Sequence, residues 1–265
     1  SLPLRRFRFF FSLCIVLEFS RHLYYDRASS WYVSTPFHYR WPWPFEHLPL
    51  PSSAQAYQLH FCLTILVSIL FATGRRHRYI GTLLLLLYGW CFTWDMGYFN
   101  NHYYLILLFN AQLVVVDASS KSRVVPRWHV LLLRYQLAAV YVFGGLSKLN
   151  SDWIAGWPVR KWMNAAFEDA IEEVLPELNG NEISEELWWF KLIPESVTMF
   201  LVFGGLLFDL LIVPCMSMRS TRTFGAALIL TFHTINLFLF DIGVFPLLGI
   251  FSMVLFYDAE DLPAF

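Results

Sequence analysis

The sequence is poor in charged residues. Only 15% of its 265 residues are Asp, Glu, Lys or Arg, whereas 57% are hydrophobic. A soluble domain has about 25% charged residues, so this chain lacks the polar surface that a protein of its length needs in water. The low charge excludes an ordinary soluble domain and predicts an integral membrane protein.

Sequence signals for metal and phosphate sites are also missing. Four cysteines, Cys14, Cys62, Cys91 and Cys215, stand apart inside apolar runs, which predicts buried small side chains rather than disulfides or metal ligands. The chain has no glycine-rich phosphate loop, no pair of metal ligands at i,i+4 and no internal repeat. We therefore predict no metal cofactor. The formal net charge of −1 indicates no particular partner, and no nucleic-acid partner is expected.

What the chain does contain is a series of apolar runs of membrane length. A helix of roughly 20 apolar residues crosses the hydrocarbon core, so we predict an all-α fold, a polytopic transmembrane helical bundle of about eight spans. A single domain is predicted over 1–265. The predicted spans are Leu4–Tyr25, Ala54–Thr73, Tyr79–Trp94, Asn100–Asp117, Trp128–Leu149, Glu195–Met218, a seventh run ending near Asp241, and Val244–Tyr257.

Two connecting stretches are expected to lie at the membrane surface. Asp26–Ser53 contains the segment WPWPFEHLPLP, whose prolines forbid a regular helix and whose tryptophans suit the headgroup region. The pattern of Trp157–Val174 predicts an amphipathic helix in the interface. The acids of this region, such as Glu168 and Glu172, are most simply a solvated helix face.

Basic residues segregate between the two sides of this arrangement. One side receives eleven, Arg5, Arg6, Arg8, Arg75, Arg76, Arg78, Lys121, Arg123, Arg127, Arg219 and Arg222. The other side receives six, Arg21, Arg27, Arg40, Arg160, Lys161 and Lys191. Short cytoplasmic loops carry the excess of Lys and Arg. The N-terminus is therefore predicted to be cytoplasmic, in the endoplasmic reticulum or in a bacterial inner membrane.

Lys148 lies in the stretch around which the chain is organised. Val140–Pro158 reads VYVFGGLSKLNSDWIAGWP, so the lysine follows two glycines near the luminal or extracytoplasmic end of a span. It is either an anchor that extends to the membrane interface or a functional amine. Gly145 and its neighbour would let another helix or a flat ligand approach closely, which an anchor does not require.

Other polar residues occur at membrane depth. His102 begins the fourth span, and His233 lies well inside the seventh with Asn236 three residues later on the same helix face. Glu18 and Asp209 could each make a helix-to-helix hydrogen bond, and His233 with Asn236 could be structural polar contacts. Because Lys148, His102 and His233 all fall in the luminal half, we favour a polar luminal cavity ringed by aromatic residues.

The chemistry open to such a cavity is limited. A lysine amine in low-dielectric surroundings can lose its proton and act as a base, and histidine or asparagine can stabilise an oxyanion. Apolar and aromatic walls suit a lipid-soluble substrate such as a quinone. The residues alone predict proton abstraction from a lipophilic compound.

Three motifs in order resemble those of the vitamin K-dependent gamma-glutamyl carboxylases. GGLSKLNSDWIAGWP is similar to the family's AG-x-x-KLDADW-x-x-G stretch, NNHYYL to its NNHSYL-like motif, and FHTINLFLFDIGVFP to its FH-x-x-N-x-x-LF-x-IG-x-FP segment. The opening RRFRFFFSLCIVLEF and a YVSTPFHYRWPW-type loop fit as well. The resemblance covers nearly the whole chain and is nearest to the short carboxylase-like proteins grouped as the HTTM domain.

The resemblance implies an enzyme that oxygenates vitamin K hydroquinone, or a similar reduced quinone, with O2 and couples this to carboxylation of a glutamyl peptide or protein with CO2. Lys148 would be the base that deprotonates the hydroquinone, and Asn101 and His102 would orient the oxygenated intermediate. His233, Asn236, Gly145 and Trp153 are implied to line the quinone or substrate pocket. The partners implied are the lipid bilayer, a lipophilic quinone and a Glu-containing substrate.

The chain departs from the family in two respects. The family's doubled lysine is Ser147-Lys148 here, and its LDADW is LNSDW. The large luminal domain that grips the substrate propeptide in full carboxylases is not expected in this chain. Hydroquinone oxygenation is therefore implied more directly than carboxylation of a protein glutamate. The alternative is a non-catalytic membrane scaffold or a lipid- or quinone-binding protein that retains the fold.

Overall fold

The regular structure of this chain is helical. A computed structural model describes residues 1–119, 125–157, 159–161, 188–239, 242–258 and 260–261, and no strand occurs among them. The all-α prediction is confirmed for this part of the chain. Its α-helices are α1 (Leu2–Tyr24), α2 (Ala54–Ala72), α3 (His77–Phe92), α4 (Asn101–Val115), α5 (Arg127–Ser147), α6 (Ser151–Ile154), α7 (Trp188–Ser217), α8 (Arg222–Leu239) and α9 (Phe245–Ser252).

Three of these helices are long and apolar enough to cross a membrane. They are α2, α5 and the Glu195–Ser217 part of α7, as judged by length and composition over the described residues. Helix α1 has 23 residues but carries three arginines in its first turns and Glu18 further on. Helices α3 and α4, with 16 and 15 residues, fall short of the roughly 20 that span a bilayer. The number of eight spans stays a prediction.

The long apolar helices expose much of their hydrophobic surface. Leu59 and Leu66 on α2 are 61% and 53% exposed, and Phe200 on α7 is 73% exposed. Contiguous apolar surface of this kind marks a face that contacts lipid or another protein rather than water. Together with the length of the three helices, this supports a membrane protein.

The helices form two compact units, each described by itself. The first comprises Ser1–Leu137 with Ile229–Phe265, and the second comprises Ala138–Leu228. In the first unit α1 packs against α2 and α9, α2 against α3, and α3 against α4. Phe7 of α1 meets Phe109 of α4 edge to face, with ring centroids 5.1 Å apart. Helix α1 is thus central to its unit, and its buried face carries Glu18 inward.

The prediction of a single domain stays a prediction.

The proline-rich loop is irregular, as its sequence predicts. Between Asp26 and Ser53 the regular structure is a π-helical turn, Ala28–Val33, and a 3-10 turn, Phe45–His47. The loop folds back on the C-terminal end of α3, because the Trp41 indole donates to the Phe92 carbonyl at 3.2 Å. Its location at the membrane surface stays a prediction.

In the second unit, α6 packs against α7. The Trp153 indole donates to the Val202 carbonyl at 3.1 Å, and Arg160 donates two hydrogen bonds to Glu195 at 2.9 and 2.6 Å. The predicted surface helix Trp157–Val174 lies almost entirely outside the described residues.

Candidate functional site

Lys148 stands directly after the last residue of α5. The helix ends in two turn-like hydrogen bonds, from the Lys148 amide to the Gly145 carbonyl at 3.0 Å and from the Leu149 amide to the Leu146 carbonyl at 3.1 Å. Asn150 then caps α6, because its side-chain oxygen accepts from the Trp153 amide at 2.9 Å. The asparagine of LNSDW therefore has a local structural role, and the tight turn fixes the start of the lysine side chain.

The amine of Lys148 is paired with a buried carboxylate. Lys148 Nζ contacts the carboxylate of Asp209 on α7, lies 3.4 Å from the Gly144 carbonyl oxygen and 5.1 Å from the centroid of the Trp153 ring. The side chain of Asp209 is 8% exposed and that of Lys148 is 21% exposed. The amine is therefore directed to a neighbouring helix, which distinguishes it from a lysine that only extends to the membrane interface.

The two glycines before Lys148 allow α5 and α7 to approach each other. A Cβ atom at Gly145 would lie 2.7 Å from Leu210 Cδ2, and one at Gly144 would lie 3.0 Å from Asp209 Oδ2. Small residues at a helix interface permit such close contact. Of the two uses that the sequence leaves open for Gly145, the structure shows the approach of another helix.

His102 and His233 meet around one aromatic ring in the first unit. The Phe245 ring centroid is 4.1 Å from that of His102 and 5.6 Å from that of His233. His233 is fully buried, and α9 packs on it through Gly249, which leaves no room for a Cβ atom there. The Nδ1 atom of His102 is buried without a hydrogen-bond partner among the described residues. Two predicted site residues are thus brought together.

The neighbouring asparagines differ in their roles. Asn100 is the N-cap of α4, and its side-chain oxygen accepts from the amides of His102 at 2.7 Å and Tyr103 at 3.3 Å. Asn101, the predicted positioning residue, is exposed on the first turn. Asn236 is partly buried on α8, three residues after His233.

The predicted site residues therefore fall into two groups. Lys148, Gly145 and Trp153 belong to the second compact unit, around Asp209. His102 and His233 belong to the first, around Phe245, as do Asn101 and Asn236. Among the described residues there is no cluster of three or more His, Cys, Asp or Glu that could hold a metal ion.

A third polar group, around Glu18, lies in the first unit. The Glu18 carboxylate, 2% exposed, accepts from the Tyr103 hydroxyl at 2.8 Å and from Arg27 Nη1 at 3.3 Å. Arg21 lies 3.4 Å from the other carboxylate oxygen. Burying a carboxylate and its charged donors costs desolvation free energy, so this group is stable only when all of its partners are in place.

Three cavities of the first unit lie close to these residues. A small one of about 40 Å³ is lined by Glu18 and by the rings of Trp31 and Tyr98. A polar one of about 240 Å³ is lined by Arg27, Trp31, Gly97, Tyr98, Phe99, Asn100, Tyr103 and Gly243. An apolar one of about 740 Å³ lies between α3, α4 and the proline-rich loop and is walled by Trp41, Phe45, Trp90, Phe92, Phe99 and Tyr104 among others.

The family model for the HTTM domain matches residues 2–260, nearly the whole chain. The chain belongs to the HTTM-domain family. This domain is related to the membrane domain of the vitamin K-dependent carboxylase family, so the resemblance read from the three motifs is confirmed at the level of the family. No solved structure matches the chain.

Sequence reasoning missed the partners of the HTTM-domain site residues. For Asp209 and Glu18 the sequence leaves a helix-to-helix hydrogen bond open as one interpretation, but it predicts neither the ion pair of Asp209 with Lys148 nor the contacts of Glu18 with Arg27 and Tyr103. Lys148 and Asp209 are 61 positions apart. The available signal was the presence of one acid and one base at membrane depth, which predicts that each has a partner but not which one.

Proposed function

We propose that this HTTM-domain protein is a membrane enzyme of the vitamin K-dependent carboxylase type. It oxygenates a reduced quinone with O2 and couples that reaction to carboxylation of a glutamyl substrate with CO2, without a metal. The observation that carries the proposal is the Lys148 amine, held at the end of α5 against Asp209 and beside Trp153, in a segment that matches the family's lysine motif.

In this proposal Lys148 takes the proton of the hydroquinone hydroxyl. The amine can do so only in its neutral form, and Asp209 can provide that form by accepting a proton from the ammonium group in low-dielectric surroundings. Oxygenation of the reduced quinone then supplies the strong base that removes a glutamyl γ-proton in a dry pocket. The resemblance assigns the positioning of the reacting groups to His102, with Asn101, His233 and Asn236.

The apolar cavity supports a lipophilic substrate. Its volume of about 740 Å³ lies within the range of roughly 300–1,000 Å³ that small-molecule sites occupy. Its walls are almost wholly aromatic and aliphatic, and among the described lining residues outside the aromatic set only Thr93 has a polar side chain. Such walls suit an apolar ring such as that of a quinone.

The proposed orientation follows the basic loops. The N-terminus is cytoplasmic, and the cavities at the start of α4 open on the luminal or extracytoplasmic side, in the endoplasmic reticulum or in a bacterial inner membrane. A glutamyl peptide or protein then approaches from that side, and the quinone enters from the bilayer.

The rival function is a non-catalytic membrane scaffold or lipid- or quinone-binding protein. The specific observation in its favour is the same ion pair. A lysine that pairs with a buried carboxylate can join α5 to α7 without any catalytic role. The two functions differ in what they require of the amine, which must be able to lose its proton for catalysis but not for a structural contact.

The test is turnover by the full chain in membranes. Membranes containing the protein are incubated with vitamin K hydroquinone, a short glutamyl peptide and labelled bicarbonate, and quinone epoxide and incorporated label are measured. Lys148→Arg keeps the charge but not a group that can be neutral. It should lower epoxidation by about 10² to 10⁴, the usual contribution of a general base.

Lys161→Arg is the matched control, since Lys161 is exposed and has no assigned role. It should leave epoxidation unchanged. Raised pH, which deprotonates the hydroquinone in solution, should restore part of the activity of Lys148→Arg. Full activity of Lys148→Arg, or no epoxide above membranes that lack the protein, would leave the scaffold function ahead.

A further inference from the structure

An open groove of about 570 Å³ runs along the exposed face of α3, beside α4, within the first unit. Its described lining residues are Arg78, Tyr79, Thr82, Leu83 and Leu86 of α3 and Val114 of α4. The α3 positions fall on one face of the helix and cover about 12 Å of its length. None of these residues is assigned to the proposed reaction.

The floor of the groove is set by close packing of α3 on its neighbours. A Cβ atom at Gly81 would lie 2.8 Å from Phe71 Cε2 of α2 and 3.1 Å from Val114 Cγ2 of α4. Because residue 81 is a glycine, α3 can approach both helices closely. The apolar side chains beside it stay open, since Leu83 is 48% and Leu86 65% exposed. The groove is thus fixed by helix packing and presents apolar surface outward.

One end of the groove is positively charged. Arg78 lines it, and Arg75 and Arg76 lie exposed in the same turn between α2 and α3. Within the described part of the chain no hydrogen bond or ion pair engages the Arg78 guanidinium. The acid that follows α4, Asp117, accepts from the Ser119 amide at 3.2 Å. Three arginines against one carboxylate leave a net positive charge at this end.

An anionic phospholipid matches both parts of the groove. A guanidinium donates several hydrogen bonds to phosphate oxygens, and an exposed tyrosine such as Tyr79 suits the headgroup level of a membrane. Leu83, Leu86 and Val114 offer apolar contact to an acyl chain. The isoprenoid tail of a quinone would use only the apolar part, because it carries no group for the arginine. The charge therefore favours a lipid with an anionic headgroup.

We propose that this groove is a binding site for an anionic phospholipid, with the phosphate at Arg78 and one acyl chain along Leu83 and Leu86. In the proposed orientation the site faces the cytoplasmic leaflet, whose anionic lipids attract basic segments near the membrane. The site does not rest on the proposed function, because no residue of the groove takes part in the reaction.

The test is native mass spectrometry of the full chain, purified in a mild detergent. The protein is mixed with equal amounts of phosphatidylglycerol and phosphatidylcholine that have identical acyl chains. Phosphatidylglycerol should be retained in preference to phosphatidylcholine by about tenfold. Arg78→Gln removes the guanidinium that contacts the phosphate and should abolish the preference. Lys161→Gln removes an exposed positive charge outside the groove and should keep it.

A second variant tests the apolar part of the groove. Leu83→Trp fills the space that the acyl chain needs and should weaken retention of phosphatidylglycerol about tenfold, although Arg78 is intact. Leu66→Trp is the matched control, since Leu66 of α2 is 53% exposed and lies outside the groove. Because both leucines are exposed, both variants should unfold at nearly the same temperature as the natural protein. A difference in lipid binding between them is then not a loss of fold.

The outcomes separate this site from its alternatives. Equal retention of the two lipids, an unchanged preference in Arg78→Gln, or unchanged retention in Leu83→Trp would each overturn the site. Displacement of the lipid by menaquinone to the same extent from the natural protein and from Arg78→Gln would overturn it in favour of an isoprenoid tail. The lipid preference should persist in Lys148→Arg, so loss of epoxidation in that variant, or its absence in the natural protein, leaves the lipid site standing.

Discussion

The Asp209 carboxylate is the residue whose removal should lower stability most directly. It is the carboxylate that the Lys148 amine contacts, and it is buried against Gly144 and Gly145. Breaking a buried pair by removing one partner leaves the other charge uncompensated and costs about 3 to 5 kcal/mol. Asp209→Asn should therefore lower the free energy of unfolding in mixed micelles by that order.

The paired substitution tells a structural contact from a proton acceptor. Lys148→Met with Asp209→Leu removes both charges and should recover most of the stability lost in Asp209→Asn, but without epoxidation. Glu195→Gln, in the partly exposed pair with Arg160, is the matched control and should have a much smaller effect. Unchanged stability of Asp209→Asn would mean that the ion pair contributes nothing to folding.

A different residue, His102, is assigned to positioning. Its ring lies against Phe245, 4.1 Å between centroids, and belongs to the other compact unit from Lys148. His102→Ala should keep part of the epoxidation and lower carboxylation much more, so the measured quantity is label incorporated per epoxide formed. His47→Ala, a substitution at an exposed position of the proline-rich loop, should keep the natural ratio. An unchanged ratio in His102→Ala would remove the positioning assignment.

At the scale of the elements, α9 depends on one glycine for its contact with α8. A Cβ atom at Gly249 would overlap the fully buried imidazole of His233. Overpacking of this kind costs about 1 to 3 kcal/mol, so Gly249→Ala should lower the unfolding temperature. Gly204 lies inside α7, and among the described residues no atom beyond its chain neighbours and its own helix backbone lies within 4 Å of such a Cβ. Gly204→Ala should stabilise the protein by about 0.5 to 1 kcal/mol.

The same Gly→Ala substitution is expected to lower the unfolding temperature at position 249 and to raise it at position 204. Thermal unfolding of both variants in the same detergent measures the two changes directly. If Gly249→Ala were as stable as Gly204→Ala, α9 would not pack on His233 as closely as described.

The same scale shows how local rules place elements. Asn100, Asn150 and Ser53 each accept a backbone hydrogen bond at the start of a helix, as short polar side chains do before an apolar run. The starts of α2 and α4 could be predicted within a few residues for this reason, whereas α7 begins at Trp188, seven residues before the predicted Glu195. The close contact of α5 and α7 could not, because Gly144 and Gly145 are also compatible with a bound flat ligand.

For the whole molecule, the distribution of basic residues predicts the orientation in the membrane. A reporter tag inserted at Gly74–Arg78 should be cytoplasmic, and one inserted at Glu177–Glu186, which lies outside the described residues, should be on the other side. Protease protection in sealed vesicles measures both. Protection of both tags, or of neither, would contradict the proposed orientation.

Composition and local patterns alone determine that this is an all-α membrane protein of the HTTM-domain family. Apolar runs of hydrocarbon length must form helices, since a bilayer offers no partner to an open backbone. Motifs such as NNHYYL are contiguous in the sequence, so the family can be recognised from them without a structure.

Only the tertiary structure decides which polar groups meet. Lys148 pairs with Asp209, 61 positions away, and Tyr103 with Glu18, 85 positions away. A buried charge needs a partner wherever it lies, and many pairings would satisfy that need equally in the sequence. Close packing of helices selects one of them, because only side chains that the packed helix faces bring within hydrogen-bond distance can stabilise each other.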